Sequence, residues 1–294
     1  MINAVIYGYG NIGRATREAI EAAADFQLAG VVSSSLQPGE LGDTPVVRDI
    51  AQLPKPDVVI LCAPSEKTPD LAERLLLAGY RTVDSFDMHQ HIPAVCERLD
   101  KAAKAGHTAA VISAGWDPGV DSVVRALFQA MAEKGHTDTN FGPGMSMGHS
   151  TAVKALDGVK DALSVTIPLG NSIHRRMVYV ELEPGADFAQ VEKAIKSHEY
   201  FCHDETHVFA VEDVDEHKDM GHGVHLVRKG VSGKTHNQNF SFSMQINNPA
   251  LTAQLLLCVA RAVLRREPGC YTMLDLPPID YLPGERKDWI RRLV

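Results

Sequence analysis

The stretch "INAVIYGYGNIG", residues 2–13, constrains this chain more than any other. An apolar strand runs straight into Gly8, Gly10 and Gly13 at GxGxxG spacing, and "IGRATREAIEAA" continues as an amphipathic helix. That strand–turn–helix setting is the one in which the motif has meaning. Gly8 permits the tight turn, Gly10 lets a pyrophosphate approach the backbone, and Gly13 lets the helix pack closely on the strand. The free N–H groups and partial positive charge of the helix start then face the phosphates. The turn Gly8, Tyr9, Gly10, Asn11, Ile12 and Gly13 is therefore assigned to a dinucleotide. The competing reading is a tight turn in an α/β protein that binds something else.

The pattern that follows fits this start. Apolar strands ("FQLAGVVSS", "PDVVILCAPS", "YRTVDSF", "HTAAVISAG") alternate with helices ("TPDLAERLLLAG", "IPAVCERLDKAAKAG", "DSVVRALFQAMAEKG"). Such alternation predicts a Rossmann-type doubly wound parallel sheet covered on both faces. Beyond about residue 120 the texture changes. "DALSVTIPL", "RRMVYVELE", "HVFAVEDV", "VHLVRKGV" and "QNFSFSMQI" read as more strictly alternating strands, with one helix, "DFAQVEKAIKSH". This predicts a separate α+β domain built on a mixed or antiparallel sheet. The long helix "PALTAQLLLCVARAVLRRE" then returns to the first domain. The expected division is 1–118 for the dinucleotide, 119–248 for substrate and dimerisation, and 249–294 for the C-terminal return.

Chain length and composition, 45% hydrophobic and 22% charged, suit two soluble globular domains. The net charge of −8 argues against a nucleic-acid partner, and no apolar run reaches membrane-spanning length. Five scattered cysteines without CxxC spacing read as reduced thiols, hence a cytoplasmic protein. Histidines crowd residues 198–236, but no spacing matches a known zinc pattern, so no metal is expected.

The strand "FQLAGVVSS" ends at Ser33, Ser34 and Ser35, where an acid would grip a ribose 2′-hydroxyl. Serines tolerate a 2′-phosphate, which favours NADP over NAD; alternatively they form only a polar turn. Cys62, Ala63, Pro64 and Ser65 end another strand and should pass beside the cofactor. "VDSFD" gives Asp84, assigned to the cofactor, and Asp87. "SAGWDPG" gives Asp117. Carboxylates at the strand ends would hold a substrate ammonium for hydride transfer, unless they serve as turn or cap residues. "FGPGMSMGHS", residues 141–150, reads as a turn-rich loop whose N–H groups suit a carboxylate. Arg176 offers a bidentate fork to a second carboxylate, or lies on a solvated sheet face.

Taken together, "GYGNIGR", "VDSFDMHQHIP", "AVISAGWDPG", "FGPGMSMGHS" and "NNPALTAQ" resemble the meso-diaminopimelate D-dehydrogenase family along nearly the whole chain. The short stretch between Thr166 and Arg176 is like that of its compact branch. The resemblance implies NADP-dependent oxidative deamination of the D-centre of meso-2,6-diaminopimelate, giving L-2-amino-6-oxopimelate and ammonia. In reverse this is a reductive amination that serves lysine biosynthesis, carried out by a homodimer. It implies that Asp87 and Asp117 hold the D-centre amino group and that Phe141 walls it. The Met147 and Gly148 backbone would bind the D-carboxylate, and Thr166, Arg176, His222 and Asn248 the L-centre. Two other readings share the architecture. One is a homoserine dehydrogenase or dihydrodipicolinate reductase; the other is a non-catalytic NADP sensor.

Overall fold

The computed structural model describes residues 1–218 and 221–294, and these divide into two compact units. The first unit comprises Met1–Val123 and Pro249–Val294; the second is Val124–Asn248.

The first unit opens with β1 (Ile2–Tyr7), α1 (Asn11–Ala22), β2 (Phe26–Val32), β3 (Val46–Val47) and β4 (Val58–Leu61). It continues with α2 (Thr68–Leu77), β5 (Thr82–Asp84), α3 (Ile92–Ala105), β6 (Ala109–Val111) and the start of α4 (Val120–Met131). Proline in the first turn of both α2 and α3 costs no hydrogen bond there. Gly79 at φ +79° follows α2, in the left-handed conformation common just past a helix end. The strands are short and apolar because the sheet is covered on both faces: Ala4, Val5, Ile6, Val58, Val59 and Ile60 are wholly buried. Each of these valine and isoleucine side chains contributes about 1.5–3 kcal/mol through burial. The α2 and α3 helices pack Leu75, Leu76 and Leu99 onto that apolar layer.

The second unit contains β7 (Lys134–Phe141), β8 (Gly144–Met145), α5 (Met147–Lys154), β9 (Val159–Gly170) and β10 (Ile173–Leu182). Then come α6 (Phe188–Ser197), β11 (Glu205–Ala210), β12 (Gly221–Ser232) and β13 (His236–Asn247). They form two sheets: a mixed one in the order β11-β10-β9-β8, and an antiparallel one in the order β13-β12-β7. The supposed loop at 141–150 is corrected here. It is irregular through Gly142 and Gly144, both at positive φ, but it contains β8 and the first turn of α5. Extended Ser146 is the N-cap that turns the chain into that helix.

The chain re-enters the first unit along α7 (Asn248–Val263), then forms β14 (Gly269–Tyr271) and α8 (Arg286–Leu293). Buried Arg261 on α7 grips Asp25, ahead of β2, with two hydrogen bonds of 2.7 and 2.9 Å. β14 completes a seven-stranded parallel sheet, β14-β6-β5-β4-β1-β2-β3, whose order reverses between β1 and β4. In such sheets ligands bind outside the carboxyl ends of the strands at that reversal.

Candidate active site

Within the first unit the predicted residues gather at those carboxyl ends. Gly8 leaves β1 at φ +97°, and a Cβ on it would lie 2.6 Å from the Cys62 carbonyl oxygen. A Cβ on Gly13 would lie 2.4 Å from the Gly8 carbonyl oxygen, so both glycines are required by the turn itself. Gly10 differs: nothing lies within 4 Å of the position a Cβ would take. The turn is thus packed beneath and open above, as a dinucleotide pyrophosphate requires. Gly10 is also the N-cap of α1 and offers no side-chain cap, which leaves the first N–H groups of the helix for a ligand. Asn11 and Ile12 begin that helix, and Tyr9 sits at the turn with its hydroxyl 3.5 Å from Arg17.

Cys62, Ala63, Pro64 and Ser65 follow β4 beside this turn. The Cys62 thiol is buried against Thr16, and burial pushes it up to about 12, so it stays protonated. Ser33 is almost buried, and its hydroxyl accepts the N–H groups of Ser35 and Leu36. It therefore shapes the turn, while Ser34 and Ser35 are exposed.

The acids divide by environment. Asp84, 1% exposed, accepts the N–H groups of Phe86 and Ser113 and ties the ends of β5 and β6 together. Burial raises its carboxyl to about 6 despite those hydrogen bonds. Asp84 faces the protein interior, so it supports the strand ends and does not itself present a surface to a ligand. Asp87 is exposed and accepts a 2.6 Å hydrogen bond from the Ser65 hydroxyl. Asp117 projects from a closed turn in which the Gly115 N–H donates to the Pro118 carbonyl at 2.9 Å. A Cβ on Gly119, which stands at φ +141°, would lie 1.9 Å from the Gly115 oxygen, so the turn requires the glycine that follows "WDP". Trp116 is buried, and the Asp117 side chain remains 13% exposed with His89 Nε2 at 3.8 Å.

Within the second unit, strand register does the assembling. Thr166 on β9 lies opposite Arg176 on β10, and the Arg176 guanidinium donates to the Thr166 hydroxyl. Arg176 Nε also donates to Asp204 Oδ2 at 2.6 Å, a partner the sequence did not suggest. Phe141 ends β7, His222 is the second residue of β12 and Asn248 follows β13, so the antiparallel register sets all three at one end of that sheet. Gly144 on β8 pairs with Thr166 and abuts Gly221, which brings the two sheets' residues together. Met147 and Gly148 are the first two residues of α5, where backbone N–H groups point out of the helix.

His149 was also missed by the sequence reading. Its Nδ1 lies 2.6 Å from the Ser146 hydroxyl, and its ring packs against that of Tyr200 at a 31° tilt. Burial, then the charges of Arg176 and His222, hold it down at about 3, so it stays neutral beside them. Only its place in "GPGMSMGHS" could have flagged it. Among the described residues no group of three or more His, Cys, Asp or Glu is placed to hold a metal ion.

Comparison with known proteins bears on this geometry. The family model described as the diaminopimelic acid dehydrogenase C-terminal domain matches residues 115–248. A meso-diaminopimelate D-dehydrogenase of Bacteroides fragilis is 57% identical over 296 residues, covering 100% of this chain and 99% of that protein. Another, from Corynebacterium glutamicum, is 30% identical over 325 residues, covering 99% of this chain and 98% of that one. The solved structure of C. glutamicum DAP dehydrogenase in complex with DAP superposes with a TM-score of 0.92 at 30% identity, over 100% and 99% of the two chains. An engineered D-amino acid dehydrogenase bound to NADP+ gives a TM-score of 0.87 at 29% identity, again over 100% and 99%.

Proposed function

The chain belongs to the meso-diaminopimelate D-dehydrogenase family, and we propose the following roles for named residues in the family's reaction. The enzyme oxidatively deaminates the D-centre of meso-2,6-diaminopimelate. A nicotinamide dinucleotide held at the open turn above Gly10 would supply the acceptor for the hydride from that carbon. NADP is the form assigned, because the turn after β2 carries serines and no acid.

Asp87 and Asp117 hold the D-centre ammonium. The observation that carries this reading is their placement: each carboxylate follows a strand of the same sheet at its carboxyl end, backed by Ser65 and His89 respectively. Hydride loss requires a neutral amine nitrogen, so Asp117 takes its proton, directly or through water. The resulting iminium takes up water and releases ammonia, leaving L-2-amino-6-oxopimelate. Met147 and Gly148 N–H groups bind the D-carboxylate, and Phe141 walls it. Thr166, Arg176, His222 and Asn248 take the L-centre, with Arg176 the fixed cation for its carboxylate. Neutral His149 keeps a second positive charge away from that fork.

The protein is assigned as a cytoplasmic homodimer. Its five free thiols support the compartment. The outer edge of β13, unpaired among the described residues, and exposed Leu127 and Met131 in the second unit support the pairing surface. Sedimentation of a Leu127→Glu/Met131→Glu variant should show monomer if these residues build it. The primary test is absorbance at the nicotinamide band with meso-diaminopimelate and NADP or NAD. Turnover of homoserine in its place would return the chain to another branch of this architecture, and no turnover at all would make it a sensor.

A further inference from the structure

The Ser33–Ser35 turn has no cation of its own, and the Ser33 hydroxyl is already committed to the turn. A 2′-phosphate, doubly charged near neutral pH, is held selectively by a guanidinium and only weakly by neutral hydroxyls. The neighbouring strand supplies the missing charge. Val47 of β3 lies opposite Val32 of β2, so Arg48 emerges level with Ser33. Its Nη1 donates to the Ser33 carbonyl, and its Nη2 lies 3.5 Å from Gln37 Oε1. Among the described residues it has no carboxylate within ion-pair distance. The adjacent acid, Asp49, is engaged locally: its carboxylate accepts the Ala51 N–H at 3.0 Å in a capping box with Gln52.

Arg48 also lines a cavity of about 390 Å³ together with the capping-box acid Asp49, Tyr7, Tyr80 and a second arginine, Arg74. Arg74 donates to the Tyr7 hydroxyl at 3.2 Å and likewise has no carboxylate partner among the described residues. The direction of the cofactor follows from the sheet. Its pyrophosphate sits at the turn after β1, and Asp87 and Asp117 mark the nicotinamide side beyond β4. The adenosine therefore runs the other way, over β2 and β3, toward Arg48.

We propose that Arg48, projecting from the strand beside the serine turn, binds the 2′-phosphate and determines the preference for NADP, with Arg74 as the second cation of that subsite. This rests on the NADP reading above. The experiment measures binding without turnover: NADPH and NADH by fluorescence, and adenosine 2′,5′-bisphosphate and 5′-AMP by calorimetry. Wild type should bind the 2′-phosphorylated member of each pair more tightly, and the margin should shrink with added salt. Arg48→Met should weaken NADPH and the bisphosphate by about tenfold or more, and leave NADH and AMP within about twofold. Arg48→Lys should recover part of the loss, since charge remains but the fork does not. Equal weakening of all four ligands would make Arg48 a support for the Ser33 carbonyl only. An unchanged NADPH affinity would also overturn its role. Wild type that fails to discriminate within either pair would overturn the NADP reading itself, and the Arg48 subsite with it.

Discussion

Asp117 and Arg176 carry the charges on which the proposed residue roles rest most directly, and each stands in a different electrostatic setting. Asp117 keeps a window to solvent and a weak contact to His89. Asp117→Ala should lower kcat/KM for meso-diaminopimelate by on the order of 10²-fold or more, with NADPH affinity nearly unchanged. A loss of only a few-fold would return it to the role of a turn residue. Arg176 is 12% exposed and already paired with Asp204 before any substrate arrives. Arg176→Met alone would leave Asp204 without its cation, so a loss of activity would mix substrate binding with folding. The double variant Arg176→Met/Asp204→Asn separates them. It should lose about 30-fold or more in kcat/KM for meso-diaminopimelate but little for D-alanine, which has no distal carboxylate. Equal losses with both substrates would make Arg176 structural. The Asp204 partnership was not legible in the sequence: it depends on β11 lying beside β10, a pairing that no local pattern announces.

The β1–turn–α1 element was the most legible part of the chain, because three glycines, an apolar strand and a helix all point the same way. Its glycines nevertheless do different work. Gly13→Ala drives a Cβ against the Gly8 carbonyl and should lower the melting temperature of the unliganded protein. Gly10→Ala meets no neighbour, so the unliganded melting temperature should stay within a degree or two. Its methyl group would instead occupy the space the pyrophosphate needs, and NADPH affinity should fall by at least about tenfold. Equal effects of the two substitutions on melting temperature would contradict this division. Elsewhere elements escaped for physical reasons. β7, "KGHTDTNF", has no large apolar residue before its final Phe141, so it lacks the alternation that betrays a strand. α5 begins directly after a glycine-rich run that reads as loop, and the two-residue β3, which carries Arg48 at its end, is too short to leave a pattern.

For the whole molecule, stability against pH is the sum of shifted titratable groups that pull in opposite directions. Asp25, held low by Arg261, and Asp161, held low by Lys154, stabilise the fold at neutral pH and lose that contribution as acid protonates them. Depressed His149 acts in the same sense, because the unfolded chain takes up its proton first as pH falls below about 6.5. Asp84 opposes them. Its folded-state carboxyl titrates at about 6 instead of 3.8, so between those values the native state holds the extra proton. Its contribution is therefore most favourable below 3.8 and is lost as pH rises through about 6. Raising a carboxyl from 3.8 to about 6 corresponds to on the order of 3 kcal/mol. Asp84→Asn removes the charge but keeps an oxygen for the Phe86 and Ser113 N–H groups. The new amide replaces an oxygen, Oδ2, that has no partner among the described residues, which adds a cost that does not vary with pH. Urea unfolding of both proteins at intervals from pH 4 to 7 isolates the slope from that constant. The variant should gain on wild type by on the order of 3 kcal/mol across this range, most of it below about pH 6, and then run parallel. A difference that stays flat from pH 4 to 7 would mean that the end of β5 does not hold its carboxyl in a dry setting, and that the tie between β5 and β6 is looser than its hydrogen bonds imply.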